Sequence, residues 1–223
     1  MRNRRSAHRR GLLLAAGAAA TAVALVAGFG ATAHAATLFG DDFGDGNADG
    51  WSKSGGTWTV SSGELTQSAT GSELARQFAG NTAWTDYQVQ ARVKPVAYGA
   101  NGLVGIAARA SSSTKMYRLA LFSGGRAELQ AVNGSQISSL GSASVAVGTG
   151  TWATLRIEAS GTTIRGFVNG TQVGSGTDSM EDNGRVALVT AYAAATFDDV
   201  VASDNGSTPT TPPTTTAPPT TPP

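Results

Sequence analysis

Acidic residues crowd both ends of the chain: Asp41-Asp42 runs into a loop carrying Asp45, Asn47 and Asp49, and Asp198-Asp199 stands near the far end. Clustered carboxylates and amide carbonyls without histidine suit a hard cation. If the first and last strands are neighbours, Asp42, Asp45, Asp49, Asp198 and Asp199 are the candidate ligands of a structural Ca²⁺. The alternative is that these aspartates end strands and cap turns.

A second constellation is cationic. Arg92, Lys94, Arg109, Arg118 and Arg165 alternate with apolar residues, accompanied by Gln88, Gln90 and Gln130. On adjacent strands they would form one wet face fit for an extended polysaccharide. The planar fork of arginine matches a carboxylate, so a uronate chain such as pectate is the expected ligand. Tyr98, Trp84 and Tyr192, near strand ends, are amphipathic rings that could stack on sugars. The candidate binding set is therefore Arg92, Lys94, Arg109, Arg118, Gln130, Tyr98, Trp84 and Tyr192. An ordinary solvated face, its arginines paired with nearby glutamates, is the competing explanation.

Catalysis has little to work with. The only histidines are His8 and His34, and there is no cysteine. Past residue 35, that removes Ser-His-Asp and Cys-His nucleophiles, His/Cys zinc sites and disulfides together. No strand carries the E-x-D-x-x-E spacing that sets a glycosidase acid and nucleophile on one face. Glu64, Glu128 and Glu158 are solitary, and Asp178, Glu181 and Asp182 fall in a turn-like run. No catalytic residue is expected.

The elements that must position these groups are strands. In 151–176, Ala153, Leu155, Ile157 and Ala159 alternate with Trp152, Thr154, Arg156 and Glu158, the period of a strand wet on one side. Ser160-Gly161 and Asn169-Gly170 then supply tight reversals. Similar alternation covers 87–95, 103–110, 117–122, 127–132, 184–192 and 196–202, and no helical period persists in this region. Short strands with frequent glycine turns predict an all-β, antiparallel two-sheet sandwich.

The flanks read differently. Arg2, Arg4, Arg5, Arg9 and Arg10, the apolar run 11–30 and Ala33-His34-Ala35 predict a secretory signal peptide over 1–35, hence an extracellular protein with no membrane anchor after cleavage; a retained membrane anchor is the alternative. A sandwich domain is expected over 36–205, and the Thr/Pro-rich stretch 206–223 as an extended linker. Without the signal, 11 basic residues face 15 acidic ones, a net charge of −4. No basic arm remains for nucleic acid, and a monomer is expected.

The strand W-x-x-L-R-I-E with its F-V-N-G-T return, the opening DDFGDGNADGW with GTWTV, and the closing GRVALVTAYAAATFDDVVAS resemble the concanavalin A-like, laminin-G-like jelly-roll family. Within it they resemble the non-catalytic module preceding pectate lyase domains in secreted actinobacterial enzymes. The resemblance implies pairing of the terminal strands, a structural calcium near them, and carbohydrate binding on behalf of a tethered polysaccharide-degrading enzyme. A pectate lyase lacking its catalytic domain, and a cell-surface adhesion or structural domain, are the alternatives.

Overall fold

The computed structural model describes residues 35–205; the expected signal peptide up to His34 and the linker from Gly206 lie outside them. Thirteen strands follow: β1 (Thr37–Asp41), β2 (Ser52–Ser54), β3 (Trp58–Ser61), β4 (Glu64–Gln67), β5 (Ala75–Ala79), β6 (Tyr87–Ser112), β7 (Lys115–Phe122), β8 (Arg126–Asn133), β9 (Gln136–Ser144), β10 (Ala153–Ser160), β11 (Thr163–Val168), β12 (Thr171–Thr177) and β13 (Arg185–Asp204). All pairings are antiparallel. No helix among the described residues is long and apolar enough to cross a membrane.

Two long strands make one sandwich out of this chain. The first half of β6 pairs with β10, and its second half with β7. β13 runs beside β6 over almost its whole length, and takes β5 on its first half and β1 and β4 on its second. The first sheet is therefore β12-β11-β10-β6-β13, closed by β4-β3 and β1; the second is β9-β8-β7-β6-β13-β5-β2. The expected neighbourhood of first and last strands holds, with Asp41 opposite Val200.

Where the sequence alternation suggested separate strands, 87–95 and 103–110, or 184–192 and 196–202, the chain instead continues through a fold-over. The pairing slips between Ala191 and Ala193, and Asn101 (φ 59°) and Tyr192 (φ 44°) take left-handed conformations. Such irregularities bend a strand without ending its hydrogen-bonded ladder. Gly102 permits the close crossing, since a Cβ there would lie 2.5 Å from the Tyr192 carbonyl oxygen.

The period-two pattern then fixes the core. Val89, Ala91 and Val93 of β6, Leu155 and Ile157 of β10, and Leu119 and Leu129 of β7 and β8 are buried between the sheets. Burial of each large side chain contributes about 1.5–3 kcal/mol. A second apolar cluster, including Phe78, Leu103, Ala107, Met116, Ala120, Val132, Ala187 and Val189, lies on the opposite face of the second sheet.

Candidate functional site

The expected binding residues divide among four places. Arg92 and Lys94 occupy the outer face of the first sheet. There Arg92 contacts Asp198 (3.0 Å) and Asp199 (3.3 Å), Lys94 contacts Glu64 (3.2 Å), and both cations lie over the Trp152 ring at 4.4 and 4.5 Å. This is the paired, solvated face that was the competing explanation, and Arg165 sits on it too, near Glu158. Its charges are satisfied by their neighbours.

Arg109 departs furthest from expectation. Alternation pointed it outward, but an irregularity in the β6–β7 pairing after Ala108, with φ 48° at Arg109 itself, re-aims its side chain to the end of the sandwich. Its guanidinium donates to the carbonyl oxygens of Thr85 (2.8 Å), Gly161 (2.8 Å) and Glu181 (3.1 Å) and to Asp86 (3.2 Å). The side chain is almost fully buried beneath a cavity of about 540 Å³. It ties three loops together. Trp84, near the same end, is half-buried, packing edge-on against Tyr87 at 5.7 Å and covering Gly80. Tyr98 and Tyr192 flank the opposite, folded end.

Arg118 and Gln130 are on the outer face of the second sheet. Register places Phe78, Ala187, Ala107, Arg118, Gln130 and Ser139 in one row across six strands. The adjacent row begins with Arg76, followed by Val189, Gly105, Ala120 and Glu128. Arg118 donates through Nε (2.9 Å) and an Nη (2.6 Å) to Gln130 Oε1. Arg76 donates to the carbonyl oxygens of Ala75 (3.0 Å) and Thr190 (2.5 Å), while its Nε has no partner among the described residues.

The electrostatics of this face are unusual. Arg76 and Arg118 are 1% and 5% exposed, and among the described residues neither has a carboxylate within ion-pair distance. Desolvation, joined at Arg76 by the charge of Arg118, lowers both guanidiniums to about 10. Both remain cations at neutral pH. Glu128, which acts on Arg118 from a distance, is itself engaged by Arg126. Buried charges without a counter-ion are costly and therefore rare. Arg76 escaped the sequence reading because alternation shows which residues share a strand face, not that β5 and β7 belong to one sheet.

The expected calcium set does not assemble. Among the described residues, no three acidic, histidine or cysteine side chains are close enough to hold a metal ion. Asp42 accepts from Gly44 N–H, Asp45 from Asn47 N–H, and Asn47 from Asp49 N–H, each a local turn. Asp198 and Asp199 instead face Arg92.

Residues 35–201 match the family described as 3-keto-alpha-glucoside-1,2-lyase-like domain. No curated protein is significantly similar in sequence. Among solved structures, a carbohydrate binding module, CBM66, from Bacillus subtilis superposes with TM-score 0.62 and 15% identity, over 70% of this chain and 96% of that one. The GH43 protein BlXynB from Bacillus licheniformis gives 0.60 and 13%, over 74% of this chain but 39% of the other. A Bacillus licheniformis β-glucanase gives 0.57 and 11%, over 78% and 99%. At such identities the likeness establishes the fold, a jelly-roll β-sandwich.

Proposed function

The chain belongs to the 3-keto-alpha-glucoside-1,2-lyase-like domain family, and we propose that this member is a secreted, non-catalytic carbohydrate-binding module that holds an acidic polysaccharide on the outer face of the second sheet. The observation that carries this reading is the buried pair Arg76 and Arg118, which among the described residues has no carboxylate within ion-pair distance. Binding would have to open this face, since Arg76 and Arg118 are 1% and 5% exposed; a uronate carboxylate admitted there would supply the missing charge in surroundings where its pairing with arginine is strong. Gln130 and the exposed Ser139 beside it on edge strand β9 lie in the same row. They offer an amide and a hydroxyl to sugar hydroxyl groups and a line of approach from the sheet edge.

A binding role is supported by what the chain lacks for chemistry. Both histidines precede the described residues. The two carboxylates that burial raises, Asp41 and Asp198, are engaged with Trp51 and Arg92 and do not line the cavity over Arg109. The basic and apolar leader supports export. The Thr/Pro-rich stretch supports a tether that would raise a partner enzyme's effective concentration on a pectate-like substrate.

Affinity electrophoresis through gels containing polygalacturonate, xylan or laminarin tests the proposal. Retardation is expected in polygalacturonate alone, weakened about 10-fold or more in Arg76→Gln and Arg118→Gln. Unhindered migration of the folded protein in polygalacturonate would contradict it.

A further inference from the structure

The first sheet pairs its arginines: Arg92, Arg156 and Arg165 each have a carboxylate within ion-pair distance. On the outer face of the second sheet, Arg185 joins Arg76 and Arg118 in having none among the described residues. Past residue 35 the acidic residues outnumber the basic ones, so carboxylates are not scarce. Three arginines left without one on a single face favour an anion from outside the chain.

Arg185 is the reachable member of the three. It is only half-buried, and it shares its strand face with Ala187, which register sets beside Phe78, itself opposite Ser52. The guanidinium lies over the Phe78 ring, 4.6 Å from its centre, and Nη1 donates to Ser52 Oγ at 3.2 Å in a bond exposed at the surface. Of the five N–H donors of a guanidinium, that one alone is engaged among the described residues, and Nε is buried without a partner. Ring and hydroxyl hold the fork in one orientation, so less side-chain freedom is lost when a carboxylate arrives. Arg185 stands two residues along β13 from the row that holds Arg118, and Arg118 two strands across it, which separates their Cα atoms by about 12 Å. One sugar ring does not span that distance.

We propose that Arg185, seated on Phe78 and Ser52, is the outer carboxylate subsite of this face, where an acidic chain engages before it reaches Arg118. The inference rests on the reading of the face as a polysaccharide surface. It adds that the ligand is a run of uronate residues, held through carboxylates on separate sugars, and that a free uronic acid is a poor ligand.

Galacturonate and oligogalacturonates of increasing length are titrated by calorimetry, at low and high salt, into the wild type, Arg185→Gln, Arg185→Lys and Arg118→Gln. Wild-type affinity should rise steeply with length. Arg185→Gln should weaken binding of the long oligomers about 10-fold and flatten its salt dependence, since one charge fewer meets the polyanion. Arg185→Lys keeps the charge without the fork, should fall between the two, and carries the comparison if the glutamine variant does not fold. Long oligomers bound with wild-type strength by the variants at position 185, while Arg118→Gln weakens them, would overturn the subsite and leave the surface around Arg118 standing. No binding of any oligomer to the folded wild type would overturn that surface and the subsite with it.

Discussion

Arg118 directs two donors at one neutral atom, Oε1 of Gln130, at 2.9 and 2.6 Å. An amide oxygen satisfies the hydrogen bonds but leaves the charge uncompensated. Replacing the amide by a carboxylate should therefore separate stability from function. Gln130→Glu would supply an internal counter-ion, raising stability by about 1–3 kcal/mol and abolishing retention in polygalacturonate. Denaturant midpoints and affinity gels on one preparation measure both effects.

Arg109 should behave in the opposite way. It ties three loops through main-chain carbonyls and Asp86, so Arg109→Ala would leave buried acceptors unsatisfied and cost about 3–5 kcal/mol. Whatever remains folded should still be retained by polygalacturonate with wild-type strength. Arg92→Ala, on the face already paired with Asp198 and Asp199, should likewise leave retention unchanged.

Chelation tests the fate of the acidic residues. With Asp42, Asp45 and Asp49 in local turns and Asp198 and Asp199 on Arg92, EDTA should leave the melting temperature where it was. A structural cation held at 100 times its Kd would contribute about 2.7 kcal/mol, a loss readily seen by calorimetry.

The tyrosines predict an alkaline limb. Burial raises Tyr98 and Tyr117 to about 12 from an ordinary value near 10, and raises Tyr87 as well. Because the folded form holds these protons more tightly, their contribution is complete below about pH 10 and is lost as pH rises through the folded-state values. Denaturation midpoints should fall across this interval, and Tyr98→Phe should reduce the fall. Equal slopes in both proteins would argue against the Tyr98 contribution.

The sandwich was legible from period-two alternation because each strand has one face in a shared core; β10 reproduces the expected buried and wet sides residue by residue. What alternation could not supply was adjacency. Arg92 and Arg118 both alternate with apolar residues, yet β6 folds across both sheets, so Arg92 on its first half and Arg118 on β7 beside its second half lie in different layers. Nor does alternation reveal local departures, and Arg109 turned inward on one such irregularity. Arg76 became notable only when register put it on the same sheet face as Arg118.

The most direct measurement follows the Nε–H signals of Arg76 and Arg118 by ¹⁵N NMR while oligogalacturonate is added. The account predicts saturable shifts of both signals, with the side chain of Arg92 unaffected. Binding of the oligomer that leaves both signals in place would contradict the claim that these two guanidiniums receive its carboxylates.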